Sequence, residues 1–355
     1  MRYRVGLTVL SLVLSVLIGV VLSRRGAPGP VEAGHKGVVI GLSMDTLKEA
    51  RWQRDRDLFV KAAEDRGAKV LVQSANSDDT RQIADVQALL SSGVDVLVIV
   101  PHNARAMATA VNLAHEANTP VIAYDRLITD CDLDLYVSFD NVKVGEAQAR
   151  FVVDHLPKGR KGRIVRIFGA KTDNNASQFK EGQDNVLKPY LQRGDLEIIH
   201  EDWADNWKPE SAKRITEAAI TRRGASFDAI LASNDGTAGG AIQALTEEGL
   251  AGKVIVTGQD AELVACQRIA AGTQSMTIYK PIAKLATSAV ELAVKVGRRA
   301  PVIAKASTYN GRVDVPSVLL EVIVVTRENL QSTVVADGYL SYRDVYRYVV
   351  PPPER

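Results

Sequence analysis

The chain has 355 residues, 46% hydrophobic and 24% charged, with a formal net charge of +2. This composition fits a soluble globular protein of about two domains and excludes long disordered tracts. So small a net charge leaves a nucleic-acid partner no electrostatic footprint and suits an uncharged ligand.

The first segment stands apart. Met1-Arg2-Tyr3-Arg4 is a basic start, an apolar run fills 5–22, and Arg24-Arg25 closes it. A basic start before an apolar stretch reads as an export signal, and this run is just long enough to span a bilayer. Residues 1–36 are therefore assigned as signal peptide or signal anchor with its leader, cleavage after Ala33 and retention both staying open. Either way the remainder is expected to work outside the cytoplasm.

From residue 37 short apolar runs alternate with amphipathic stretches, the pattern of βαβ units and a parallel sheet. Strands are predicted at 38–42, 69–72, 96–100, 121–124 and 135–138, with helices at 52–66, 79–92 and 104–117 between them. A second series sets helices at 142–156, 177–191, 209–221 and 237–248 against strands at 163–168, 197–200, 228–231 and 254–257. Segments 261–271, 276–279 and 281–296 complete it. Two series of similar length imply two similar lobes. After Pro316 one strand-like run, 319–325, precedes an irregular tyrosine-rich tail, and 349–355 is expected to be a disordered end.

Polar clusters stand where several of these apolar runs stop or soon after. They are Arg51-Trp52, Tyr124-Asp125-Arg126, Asp173-Asn174-Asn175, Trp207, Ser233-Asn234-Asp235, Gly258-Gln259-Asp260 and Tyr279-Lys280. The carboxyl ends of parallel strands share one rim, and open α/β folds bind ligands there. A sugar hydroxyl both donates and accepts, so a closed site must match it or leave buried groups unpaired. Asp125, Asp173 and Asp260 accept; Arg51, Arg126 and Lys280 donate; Asn175 and Asn234 do both. Trp52 and Trp207, two of only three tryptophans, offer platforms for the C–H faces of a sugar ring. Taken singly each cluster has a plainer reading: Asp125-Arg126 as a solvated ion pair, Asn174-Asn175 and Ser233-Asn234-Asp235 as helix caps, the tryptophans as packing residues. Their joint placement in both series favours a site.

Enzyme chemistry finds little support. The five histidines are scattered, with none in a nucleophile or metal motif; His102, after Pro101 at a strand end, is read as an exposed loop residue in preference to one at the cleft edge. Interspersed Arg and Lys keep the carboxylates ionised, which argues against a general acid. No phosphate-binding glycine loop is present. Cys131 and Cys266 fall in different lobes and read as unpaired buried thiols without metal-ligand spacing. No catalytic residue, metal or cofactor is assigned.

The clusters and their surroundings resemble the bacterial periplasmic sugar-binding proteins of the ribose/galactose/xylose type, nearest the xylose branch. The resemblance runs from about 38 to about 325 and includes ARWQRDRDLFVKAAE at 50–64, AYDR at 123–126, SFDNVKVGEAQA at 138–149, DNNA at 173–176, ASNDGTAGGAIQAL at 232–245, GQDAEL at 258–263 and RIAAGTQSMTIYKPI at 268–282. It implies a type I periplasmic binding fold: two Rossmann-like lobes with parallel sheets, joined by three hinge crossovers near 138–141, 279–281 and 311–316. The lobes would be 37–139 plus 281–313 and 140–280 plus 314–345, with a tail at 346–355. The family's sugar contacts map onto Arg51, Asp125, Arg126, Asp173, Asn175, Asn234, Asp260 and Lys280, with Trp52 and Trp207 stacking. The implied partners are a small sugar and an ABC permease, and a monomer is expected. A membrane-anchored sugar sensor is the alternative. A repressor of the same fold would need a helix-turn-helix where the apolar run stands.

Overall fold

A computed structural model describes residues 37–224 and 226–350. The apolar run 5–22, its leader and the prolines at 351–353 lie outside the described residues. Among the described residues no helix is long and apolar enough to cross a membrane.

The first lobe is built on a seven-stranded sheet. Strands β1 (Val39–Met44), β2 (Lys69–Ser74), β3 (Val96–Ile99), β4 (Val121–Tyr124) and β5 (Leu135–Phe139) are parallel, and late in the chain β11 (Ala306–Tyr309) and β12 (Asp314–Leu320) join them. The spatial order is β11-β12-β5-β4-β3-β1-β2. Both faces of the central strands are covered, which is why they read as continuous apolar runs. Ile40, Leu42, Val96, Val98, Ile122 and Tyr124 pack one face against α1 (Ala50–Glu64) and α9 (Ile282–Gly297). Leu97, Ile99, Val121 and Ala123 point to the other face, against α2 (Asp79–Ser91) and α3 (Ala108–Glu116). The alternation is that of a pleated strand buried on both sides.

The second lobe repeats the plan. Strands β6 (Gly162–Phe168), β7 (Leu196–Trp203), β8 (Ala229–Ala232) and β9 (Ile255–Val256) lie in the order β7-β6-β8-β9. Strand β10 (Thr277–Tyr279) continues the row, because Ser275 N donates to Val256 O at 2.9 Å and Asp260 N to Ile278 O at 2.8 Å. Its partner is β13 (Ile323–Val325). Helices α4 (Asn141–His155) and α5 (Asn174–Arg193) cover one face, α6 (Pro209–Arg223) and α7 (Asp235–Glu247) the other. A further helix, α8 (Leu263–Ala271), joins the C-terminal segment in its own cluster. In position, β2-β1-β3-β4-β5-β12 corresponds to β7-β6-β8-β9-β10-β13, except that β12 runs parallel to β5 and β13 antiparallel to β10.

The chain passes between the lobes at Asp140, between β5 and α4, and at Lys280-Pro281, between β10 and α9. The third crossing lies outside the expected 311–316. Residues 314–320, assigned by sequence to the second lobe, form β12 and pair in parallel with β5 of the first, Ser317 opposite Tyr136 through Leu320 opposite Phe139. The chain passes between the lobes at Glu321-Val322, so the run read as one strand over 319–325 is the end of one and the whole of another. The tail also differs from expectation. Val345, in the short helix α10 (Tyr342–Val345), and Tyr346 are buried with Leu330 and Val334 against Cys266 and Ile269 of α8, and Val349 packs against the same cluster.

Candidate binding site between the lobes

In both lobes the strand order reverses between the first and third strands, β1 and β3 or β6 and β8. Such a switch point opens a crevice beyond the strand ends. The two crevices face each other and form one cleft with about 690 Å³ of atom-free space, its open mouth included. Arg51, Trp52, Asp125, Arg126, Asp173, Asn175, Trp207, Asn234, Asp260 and Lys280 all line it. Ala104 N of the first lobe donates to Thr172 O of the second at 2.9 Å, so the lobes are in contact beside the cleft.

The charged side chains form two groups. In one, Arg51 pairs with Asp125, with Asp260 at 3.1 Å and with Asp55 at 3.4 Å. Lys280, 2% exposed, stands 3.1 Å from Asp260 and 3.9 Å from Asp125. Burial alone would raise the Asp125 carboxyl, but Arg51 and Lys280 outweigh it and hold it at about 2. In the other group, Arg126 reaches Asp45 at 2.7 Å and Asp173 at 2.9 Å, and donates to Pro101 O at 3.2 Å. Arg51–Asp260 and Arg126–Asp173 join opposite lobes. Asn175 of the second lobe likewise donates to the Asp125 carbonyl and carboxylate at 3.1 and 3.2 Å.

Several cluster residues cap a helix and line the cleft together, so the two readings offered by the sequence do not exclude each other. Asp173 caps α5 by accepting from Asn175 N, while its other oxygen accepts from Trp207 Nε1 at 3.2 Å and faces Arg126. Asn234 caps α7 in a reciprocal box with Thr237. Asp235 turns away from the cleft: its carboxylate accepts from Gln274 Nε2, Glu262 N and Thr277 Oγ1, steadying the loops from behind. Gln148 of α4 adds to this by donating to Ser233 O and Gly258 O.

The tryptophans sit differently from one another. Trp52 is 5% exposed and belongs to the core of the first lobe, with the Arg51 and Arg126 guanidinium carbons 4.4 and 5.0 Å from its ring centroid. Trp207 is half-buried at the end of a 3₁₀ turn (Asp205–Trp207). Its ring lies edge-on to Phe179 and so close to Gly169 that a Cβ there would stand 2.0 Å from the indole. Only glycine leaves room for that approach.

The sequence reading missed Asp45, Thr46, Glu49 and Glu262 and gave no binding role to His102 or Gln259, all of which line the cleft. His102 is not the exposed loop residue expected. Its ring nitrogen lies 3.0 Å from Asp45, and that bond raises its pKa. Asp45 follows β1 directly, the signal that identified the other strand-end carboxylates. Gln259 Oε1 and Glu49 Oε2 are buried without a hydrogen-bond partner among the described residues.

The carboxyls respond to pH in opposite senses. Burial and the Asp260 charge push Glu262 up to about 7, and burial pushes Asp55 to about 6. For a raised acid the folded protein keeps a proton that the unfolded chain has released, so stability falls as pH rises through that window. Asp125, held at about 2, contributes stability above its unfolded value that is lost only in strong acid. Thermal midpoints are therefore expected to fall from about pH 5 to about pH 8, and Glu262→Gln to remove part of that slope. An unchanged slope in melts across this range would exclude Glu262 as the group.

A polar cleft divided between two like α/β lobes, with ion pairs running from one lobe to the other, is the construction of a two-lobed binding protein. The chain belongs to the family described as the periplasmic binding protein domain, matched over residues 40–299. It is 48% identical over 309 residues to the D-xylose-binding periplasmic protein of Escherichia coli (strain K12), covering 87% of this chain and 93% of that one. To the protein of the same name from Haemophilus influenzae it is 46% identical over 314 residues, covering 88% and 94%. A carbohydrate transporter solute binding protein from Chloroflexus aurantiacus, solved in complex with D-glucose, superposes with a TM-score of 0.82 at 33% identity, covering 87% of this chain and 98% of that one.

Proposed function

We propose that this chain is the substrate-binding component of an ABC sugar importer. It holds D-xylose, or a close monosaccharide, in the interlobe cleft and presents the closed form to a membrane permease outside the cytoplasm. The observation that carries this reading is the division of the cleft. Arg51, Trp52, Asp125 and Arg126 come from one lobe; Asp173, Asn175, Trp207, Asn234 and Asp260 from the other; Lys280 stands at a crossover. The full set of partners exists only when the lobes meet, so a ligand that uses both halves shifts the equilibrium toward closure. The names of the two relatives near half identity support xylose as the sugar.

In this reading Asp125, Asp173 and Asp260 accept from sugar hydroxyls, and Arg51, Arg126 and Lys280 donate. Asn175 and Asn234 serve as either, and Gln259 Oε1 supplies a further acceptor. Trp207 covers a C–H face of the ring from the second lobe, and Trp52 walls the cleft and steadies two guanidiniums. The ion pairs keep every carboxylate in this set occupied by a cation, so binding without chemistry is the role proposed, by a monomer. Calorimetry with xylose, ribose, arabinose, glucose and galactose tests it. Xylose is expected to bind in the micromolar range or tighter, with a smaller radius of gyration in solution when bound. If none of the sugars binds below the millimolar range, the reading fails.

A further inference from the structure

The C-terminal segment does not line the cleft, yet one of its side chains reaches the site from behind. Tyr339 donates its hydroxyl to the backbone carbonyl of Asp260 at 3.2 Å. Its ring lies 4.9 Å from that of Tyr279, whose own hydroxyl is held by Asp337. From the first lobe, the Arg54 guanidinium of α1 stands 4.5 Å from the centroid of the Tyr339 ring.

Comparison of the lobes gives this contact its meaning. Asp125 and Asp260 each follow the fourth strand of their lobe, and both have positive φ, 62° and 96°. Each donates its amide to the next strand, to Val137 O and Ile278 O respectively. A side chain held at such a φ is strained and keeps its place only if its surroundings fix it. In the first lobe the Asp125 carbonyl accepts from Ser138 at 2.6 Å, Tyr136 at 3.1 Å and Asn175 at 3.1 Å. By the same register Thr277 and Tyr279 stand where Tyr136 and Ser138 stand. Neither is directed to Asp260, because Thr277 donates to Asp235 and Tyr279 to Asp337. The second lobe's strands leave the Asp260 carbonyl without their clamp, and Tyr339 supplies one.

We infer that Tyr339 is a positioning residue of the cleft: its hydroxyl fixes the strained Asp260 backbone, and its ring, against Arg54, ties the C-terminal segment to the first lobe on closure. The inference rests on the binding reading above for its effect on affinity, though not for its effect on Asp260. A cation over an aromatic ring adds attraction even at an exposed site. It also gives the C-terminal segment a part in binding without any contact with the ligand.

Tyr339→Phe keeps the ring and removes only the hydroxyl. In the sugar-free full-length protein, amide hydrogen exchange over 257–262 is expected to quicken about 3- to 10-fold, the range one neutral hydrogen bond is worth. Exchange elsewhere is expected to stay close to that of the parent, and the thermal midpoint to fall by no more than about 2 °C, the worth of the same bond. The dissociation constant for xylose is expected to rise by a similar factor through faster release, and the rise to shrink in an Asp260→Asn background, since Tyr339 acts through Asp260. Arg54→Ala is expected to speed release without altering exchange over 257–262. Unchanged exchange at 257–262 overturns the inference, as does faster exchange spread over the whole protein. If the parent binds no sugar the proposed function fails, and the exchange measurement still decides the role of Tyr339.

Discussion

Arg126→Ala is expected to raise the dissociation constant for the bound sugar by a factor of about 100 or more while leaving each lobe folded. The guanidinium stands between Asp45 of the first lobe and Asp173 of the second, which are 4% and 3% exposed. Removing it brings two buried carboxylates together at closure with only His102, 3.0 Å from Asp45, to offset them. Breaking a buried pair by deleting one partner costs about 3–5 kcal/mol, and each 1.4 kcal/mol is about tenfold in affinity. The cost falls on closure, because in the open form both carboxylates are hydrated. Asp173 is already raised by burial, with Arg126 opposing the rise. Without Arg126 it takes up a proton more readily, so the variant should bind better as pH falls from about 7 toward about 5. Arg126→Lys keeps the charge and loses the fork that reaches both carboxylates, so an intermediate loss is expected. Calorimetry across that pH range is the check. Affinity within about threefold of the parent would remove Arg126 from the site.

Much of the cleft lining was legible in sequence because of how the sheets are covered. Strands buried on both faces read as unbroken apolar runs, and the first polar residue after each marks the rim. That rule located Asp125 directly after β4 and applies equally to Asp45 directly after β1, which was passed over; Asp260 stands further on, past Thr257 and Gln259 after β9. His102 is the first polar residue past β3, so the same rule points to it, while what orders its ring is Asp45, brought near only by the fold. The third crossover was placed near 311–316 on the resemblance alone, whereas β12 carries the chain on to Leu320 in the first lobe. Pro316 sits inside β12, and a proline argues against a paired strand. Here it lies opposite Ser307 in the antiparallel pairing with β11, and the parallel pairing with β5 begins only at Ser317. The missing N–H therefore interrupts no bond to the interior strand. The C-terminal segment was read as a tail because its apolar residues follow no period. Its order comes from docking on α8 and Tyr279, contacts that no local pattern encodes.

A large loss of stability from a single small substitution is expected at Gly182. A Cβ there would stand 2.0 Å from Val142 O and 2.8 Å from Glu146 N of the neighbouring helix. The crossing is reciprocal, for a Cβ at Gly145 of α4 would stand 2.0 Å from Phe179 O of α5. These neighbours are backbone atoms, so no rotamer change relieves them and the two helices must separate. Overpacking of this kind costs about 1–3 kcal/mol and occasionally more; about 3 kcal/mol would lower the thermal midpoint by roughly 4–5 °C in a cooperative unit of about 300 residues. The same displacement reaches the cleft, since α5 carries Asn175 in its first turn and Asn141 at the start of α4 donates to Asn175 Oδ1 at 3.0 Å. Gly182→Ala is thus expected to lose stability and sugar affinity together. Gly236→Ala is the control: its Cβ would meet nothing nearer than Asn234 Nδ2 at 3.6 Å, and alanine favours a helix over glycine by about 1 kcal/mol. Thermal melts of the two variants decide the matter. Equal midpoints would mean that the α4–α5 crossing yields without cost, and that close backbone contact is not what sets the distance between these helices.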